Sequence, residues 1–134
     1  MDENIQELLR NARTIAVVGL TNDPSRPSYA VSTYLQSNGY QVVPINPKLS
    51  EVLGEKAYPS LSEAARSEEI DIVDVFRRPD AVPAIVDEVV ALGLPVLWLQ
   101  ETVVHEDAAA RARKAGITVV MDKCILKEHR RLGL

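Results

Sequence analysis

Five short apolar runs, each separated by a stretch of helical spacing, leave this chain few ways to fold. The runs are Thr14–Leu20 (TIAVVGL), Gln41–Ile45 (QVVPI), Ile70–Phe76 (IDIVDVF), Pro95–Leu99 (PVLWL) and Thr118–Met121 (TVVM). Most are nearly continuous in apolar residues, the pattern of strands covered on both faces rather than one. Parallel strands need long crossovers, and the intervening segments are long enough to supply helical ones. The pattern predicts one α/β domain over residues 1–134: a five-stranded parallel sheet in three layers, with helices on both faces.

The crossovers carry their own signals. Ile5, Leu8, Leu9 and Ala12 recur at helical spacing before the first strand. Ala30, Val31, Tyr34 and Leu35 share one face of a helix over Ser28–Ser37, and Gly39 ends it. Ser60-Leu61-Ser62-Glu63 has the form of a capping box. Asp80 is expected to cap a helix running to Leu92, with Pro83 in its first turn. Further helices are expected over 105–115 and Ile125–Leu132, and residues 48–59 read as irregular.

Composition sets limits on partners. With 134 residues, 46% of them hydrophobic, the chain can build one core and is not a disordered polymer. Its net charge of −4 argues against broad nucleic-acid binding, which needs a basic face. No apolar run approaches the ~20 residues of a membrane span. The segment MDENIQELLRN is acidic and amphipathic, unlike a secretory signal, and the lone Cys124 has no internal partner for a disulfide. These features predict a cytoplasmic protein. A homo-oligomer or a protein partner stays open.

Within this acidic chain, basic residues gather where the strands end. Arg26 follows strand one, Lys48 strand two, and Arg77 and Arg78 strand three. Open α/β sheets bind ligands at the carboxyl ends of their strands, where helix N-termini already favour anions. The added cations point to a ligand with several phosphates. In the first loop, which leaves the strand at Gly19 and Leu20, backbone N–H groups, the Thr21 and Ser28 hydroxyls and Arg26 can surround a pyrophosphate, although the loop is neither GxGxxG nor a Walker loop; its plain alternative is a turn with Ser28 as helix cap. Asn46-Pro47-Lys48 stands where dinucleotide folds usually place a carboxylate for the ribose diol, which disfavours NAD and suits a phosphorylated ribose. Phe76-Arg77-Arg78 offers guanidinium planes to a base or phosphate; the plain alternative pairs one arginine with Asp74 or Asp80.

Beyond strand four, Gln100 can hydrogen-bond a linear polar ligand, and Glu101 is a candidate general base with no partner carboxylate or nucleophile in view. Trp98 is expected in the core. Cys124, before the last helix, is either a reactive thiol or a small packing residue, the plainer expectation. His105 is expected at a helix start and His129 on a solvated face; neither has metal-ligand spacing. Asp122-Lys123 suggests a phospho-acceptor receiver domain. That reading fails because strand one ends in Gly19-Leu20-Thr21 and strand three in Phe76-Arg77, without the acidic groups it requires.

Six stretches in order, AVVGLTNDPSRPSYAV (16–31), YL (34–35) with GYQVVPINP (39–47), VLGEKAYPSL (52–61), IDIVDVFRRP (70–79), VLWLQ (96–100) and AGITVVMDKC (115–124), resemble the small CoA-binding proteins of bacteria and archaea. These are similar to the N-terminal CoA-binding domain of the succinyl-CoA synthetase α subunit. The resemblance implies a Rossmann-like fold that binds coenzyme A through the three loops named above. It departs at Thr102, where the family often has glycine. The synthetase's phosphorylated histidine and nucleotide-binding subunit lie outside the resembling domain.

The expectation is therefore a coenzyme A-binding module without established catalysis, its phosphates on Lys48, Arg26 and main-chain N–H groups. An NADP-linked enzyme or sensor, and an acyl-CoA-processing enzyme using Cys124 or Glu101, are the alternatives.

Overall fold

The structure, a computed structural model, describes residues 2–134, and side chains from Asn4 onward. Met1, the first residue of the expected domain and of its acidic N-terminal segment, lies outside the described residues. Strands β1 (Thr14–Val18), β2 (Gln41–Ile45), β5 (Ile72–Val75), β6 (Val96–Leu99) and β7 (Thr118–Val120) form one parallel sheet in the order β2-β1-β5-β6-β7. This is the expected three-layer, Rossmann-like architecture. Helices α1 (Asp2–Asn11), α2 (Pro27–Ser37) and α6 (Ile125–Arg131) cover one face around Ile15, Val17, Ile72 and Trp98. Helices α3 (Leu61–Ala64), α4 (Val82–Leu92) and α5 (Glu106–Lys114) cover the other around Ala16, Val18, Val73, Val75, Leu97 and Leu99. Alternation along each strand sends successive side chains into opposite layers.

The chain leaves β1 for the edge strand β2, then crosses back to β5 on the far side of β1. The connections from β1 and β5 thus part to opposite faces, into α2 and α4, and open a crevice between them. β1 stops at Val18, two residues short of the expected run, because Gly19 adopts φ +93. A Cβ there would lie 2.3 Å from the Phe76 carbonyl oxygen, so only glycine lets the first loop pass over the end of β5.

Several local expectations are corrected. Residues 48–59 contain a hairpin, β3 (Glu51–Val52) with β4 (Glu55–Lys56), turned by Leu53 and Gly54 at φ +54 and +78. Two positive φ values suit a tight hairpin, but Leu-Gly is a weak signal for one. α2 starts at Pro27 with Arg26 as N-cap, so Ser28 lies inside its first turn. Asp80 sits within a 3-10 turn (Pro79–Ala81) and caps nothing; α4 begins at Val82. His129 is buried, not solvated: its Nδ1 lies 2.7 Å from the Tyr34 hydroxyl. Elsewhere the signals hold. Ser60 Oγ accepts from Glu63 N at 3.2 Å, His105 Nδ1 from Ala108 N at 3.1 Å, and Trp98 is fully buried.

Candidate functional site

A cleft of about 930 Å³ opens along the carboxyl ends of the sheet. Its size lies near the upper end for small-molecule sites. From the first loop come Gly19, Thr21, Arg26 and Ser28; from the end of β2, Asn46, Pro47 and Lys48. Phe76, Arg77 and Arg78 follow β5, and Gln100 follows β6. The sheet thus gathers into one cleft every residue expected to hold the coenzyme except Leu20. That side chain is fully buried in the α2 layer, and its carbonyl accepts from Asn46 Nδ2 at 3.0 Å.

Asn46 uses its amide to tie loops together. Besides that bond, its Oδ1 accepts from Lys48 N at 2.9 Å, an Asx turn that sets the start of the Lys48 loop. The first loop is ordered likewise: Asp23 Oδ1 accepts from Ser25 N at 2.9 Å and Ser25 Oγ at 2.7 Å. These bonds hold the Asp23 carboxyl below its ordinary range.

The cations divide into two kinds. Arg78 donates to Asp80 at 3.0 Å, so the arginine's partner is Asp80, not Asp74. Arg26, Lys48 and Arg77 form no ion pair within 4.0 Å among the described residues. The Cδ of Arg77 would lie only 3.2 Å from a Cβ at Gly19, so its stem runs over the first loop. The two arginines, adjacent in sequence, have different surroundings. On the cleft's far wall Glu101 is bound by Lys127 Nζ at 3.0 and 3.2 Å, which offsets its charge. The cleft is electropositive although the chain is acidic.

Beside Glu101, Thr102 takes φ +71, held by its N–H on Asp122 Oδ1 at 2.8 Å. A β-branched residue is strained in that region, where the glycine common in resembling sequences would not be. Cys124 lines the cleft at the N-cap of α6 and is 9% exposed. Among the described residues no cluster of His, Cys, Asp or Glu could hold a metal.

Sequence reasoning missed Asp74 as part of this site. It lies on β5, fully buried, and its Oδ1 accepts from Gln100 Nε2 at 2.6 Å. Its Oδ2 has no hydrogen-bond partner among the described residues, and burial pushes the carboxyl up to about 7. The available signal was an acid inside an otherwise apolar strand, IDIVDVF.

The uncharacterized protein YneT of Bacillus subtilis (strain 168) is 42% identical over 125 residues, which cover 93% of this chain and 91% of that protein. A hypothetical protein from Pyrococcus horikoshii OT3 superposes with a TM-score of 0.95 at 36% identity, covering 100% of this chain and 93% of the other. The alpha subunit of ADP-forming acetate–CoA ligase II from Pyrococcus furiosus is 39% identical over 69 residues, 51% of this chain but only 15% of that subunit. A family model described as "CoA binding domain" matches residues 13–130, nearly the whole chain. The chain belongs to that family of CoA-binding domains.

Proposed function

We propose that this protein binds coenzyme A or an acyl-CoA in the cleft at the carboxyl edge of its sheet, as a module without catalysis of its own. The observation that carries this reading is the set of cations around that cleft, three of them without a carboxylate partner among the described residues. Lys48 and Arg26, with main-chain N–H groups of the first loop and the start of α2, hold the 3′-phosphate and the pyrophosphate. Gly19 and Thr21 line that loop, while Asn46 and Pro47 set the direction of Lys48. Phe76, Arg77 and Arg78 offer surfaces on which the adenine can stack. The pantetheine arm runs along the strand ends toward Gln100.

The NADP alternative loses support from the family and from the first loop, which is not GxGxxG. An acyl-CoA-processing role rests on Cys124, which lines the same cleft, rather than on the ion-paired Glu101. We place the protein in the cytoplasm on its single, unpaired cysteine. None of the described helices is long and apolar enough to cross a membrane.

Calorimetric titration with CoA, dephospho-CoA, NADP and NAD tests the reading. CoA should bind tightest and dephospho-CoA more weakly, because Lys48 and Arg26 lose a phosphate to hold. Equal or tighter binding of NAD would overturn it.

A further inference from the structure

The side chains of Asp74 and Gln100 form a buried polar pair beneath the cleft, among apolar strand neighbours. Asp74 is flanked along β5 by the buried Val73 and Val75, and its register neighbours are Val17 on β1 and Trp98 on β6, both buried. The sheet's hydrogen bonds are main-chain bonds and need no acid there. A buried carboxyl with one unpartnered oxygen is a liability that an apolar side chain of similar size would avoid. Such liabilities persist where function requires them.

What the carboxyl does is visible in Gln100. The backbone of Gln100 is fixed at both ends: its N–H donates to the Val75 carbonyl at 3.4 Å, and its carbonyl accepts from Val103 N at 2.9 Å. Gln100 is only 4% exposed, yet it lines the cleft. A carboxylate only accepts hydrogen bonds, so it draws the amide NH₂ inward. The other end of the amide, Oε1, is then left for the cleft, and it has no protein partner among the described residues. A proton on Oδ2, the oxygen without a partner, leaves Oδ1 free to accept, so the orientation holds in either charge state.

We propose that Asp74 is a positioning residue: it fixes the Gln100 amide so that Oε1 faces the cleft and accepts a hydrogen bond from an N–H or S–H donor on the pantetheine arm. The proposal rests on the coenzyme reading above and deepens it. It assigns the cleft two recognition ends, a cationic one for phosphates and an acceptor for the arm. A ligand with the phosphates and no arm engages only the first.

The test compares the wild type with Asp74→Leu, which removes the acceptor at similar volume, and Asp74→Asn, which keeps one. The probes are CoA and adenosine 3′,5′-bisphosphate, which carries phosphates and adenosine without the arm. Melting without ligand is measured in parallel. Asp74→Leu should melt at or above the wild-type temperature, bind CoA about fivefold or more weakly, and bind the bisphosphate unchanged. Asp74→Asn should stay within about twofold of wild type, since two equally populated amide orientations at worst halve the competent fraction. Wild-type affinity of Asp74→Leu for CoA, a parallel loss for both probes, or a much lower melting temperature would each overturn the proposal. So would weak CoA binding by a folded Asp74→Asn. A wild-type protein that binds neither probe overturns the coenzyme reading itself, and this proposal with it.

Discussion

Asp71, just before β5, and Asp74, near its carboxyl end, lie three residues apart, and their surroundings are opposites. At the amino end, Asp71 Oδ2 accepts from the main-chain N–H groups of Arg13 and Thr14 at 2.9 and 3.0 Å, closing the entry to β1. The second cleft there, about 390 Å³, is lined by Glu7 and Asp71 and by no cation. At the carboxyl end, Asp74 keeps an oxygen without a partner, Gln100 keeps its Oε1 free, and three cations lack carboxylates among the described residues. One end of the sheet satisfies its own polar groups; the other leaves several without a protein partner among the described residues. Polar groups at the first end should therefore stabilise the fold, and those at the second should act on binding, at a cost in stability where they are buried.

The largest expected effect is the pH dependence of Asp74. Its ordinary value is 3.8, and burial raises it to about 7 in the folded protein. The folded state holds the proton more tightly, so the group's contribution to stability is complete below 3.8. It is lost as pH rises to about 7, by up to roughly 4 kcal/mol. Asp74→Leu removes this dependence. Denaturant unfolding of the two proteins should show the variant gaining on the wild type from pH 4 to 7 and levelling above. A difference that stays constant over that range would contradict the picture of the carboxyl as buried and poorly solvated.

Asp71→Ala should act with the opposite sign and at the opposite end. It strips two main-chain N–H groups of their acceptor, which should cost about 2 kcal/mol, since water can reach part of the site. CoA affinity should not change. If affinity falls with stability, the two ends are not independent.

The arginines give the smallest effect and the finest distinction. Arg77→Ala should weaken CoA about tenfold, roughly 1.4 kcal/mol, with unfolding unchanged. Arg78→Ala should do less, because Arg78 already pairs with Asp80 on an exposed surface. Equal losses would mean that the pairing with Asp80 does not persist when ligand is bound.

The frame of this site was readable from sequence because it depends on local signals. Apolar runs mark the strands, and residues just beyond them fall at the carboxyl edge whatever the strand order. Arg26, Lys48, Arg77 and Gln100 are all of this kind. The pairs between distant residues were not readable. Gln100 meets Asp74 across 26 positions only because β5 and β6 align Asp74 with Trp98 and Val75 with Leu99. His129 is buried because α6 packs beside Tyr34 of α2, a contact that seven residues of helix do not announce. Leu20 shows the limit of loop reading: two residues past the end of β1, its side chain still turns into the core.

Amide hydrogen exchange with and without saturating CoA tests the account most directly. It predicts slowed exchange in the first loop and the start of α2 (19–28), after β2 (46–48), after β5 (76–79) and at 100–103, with no change around Asp71. Protection centred on the amino end of the sheet, or none at the cationic loops, would contradict it.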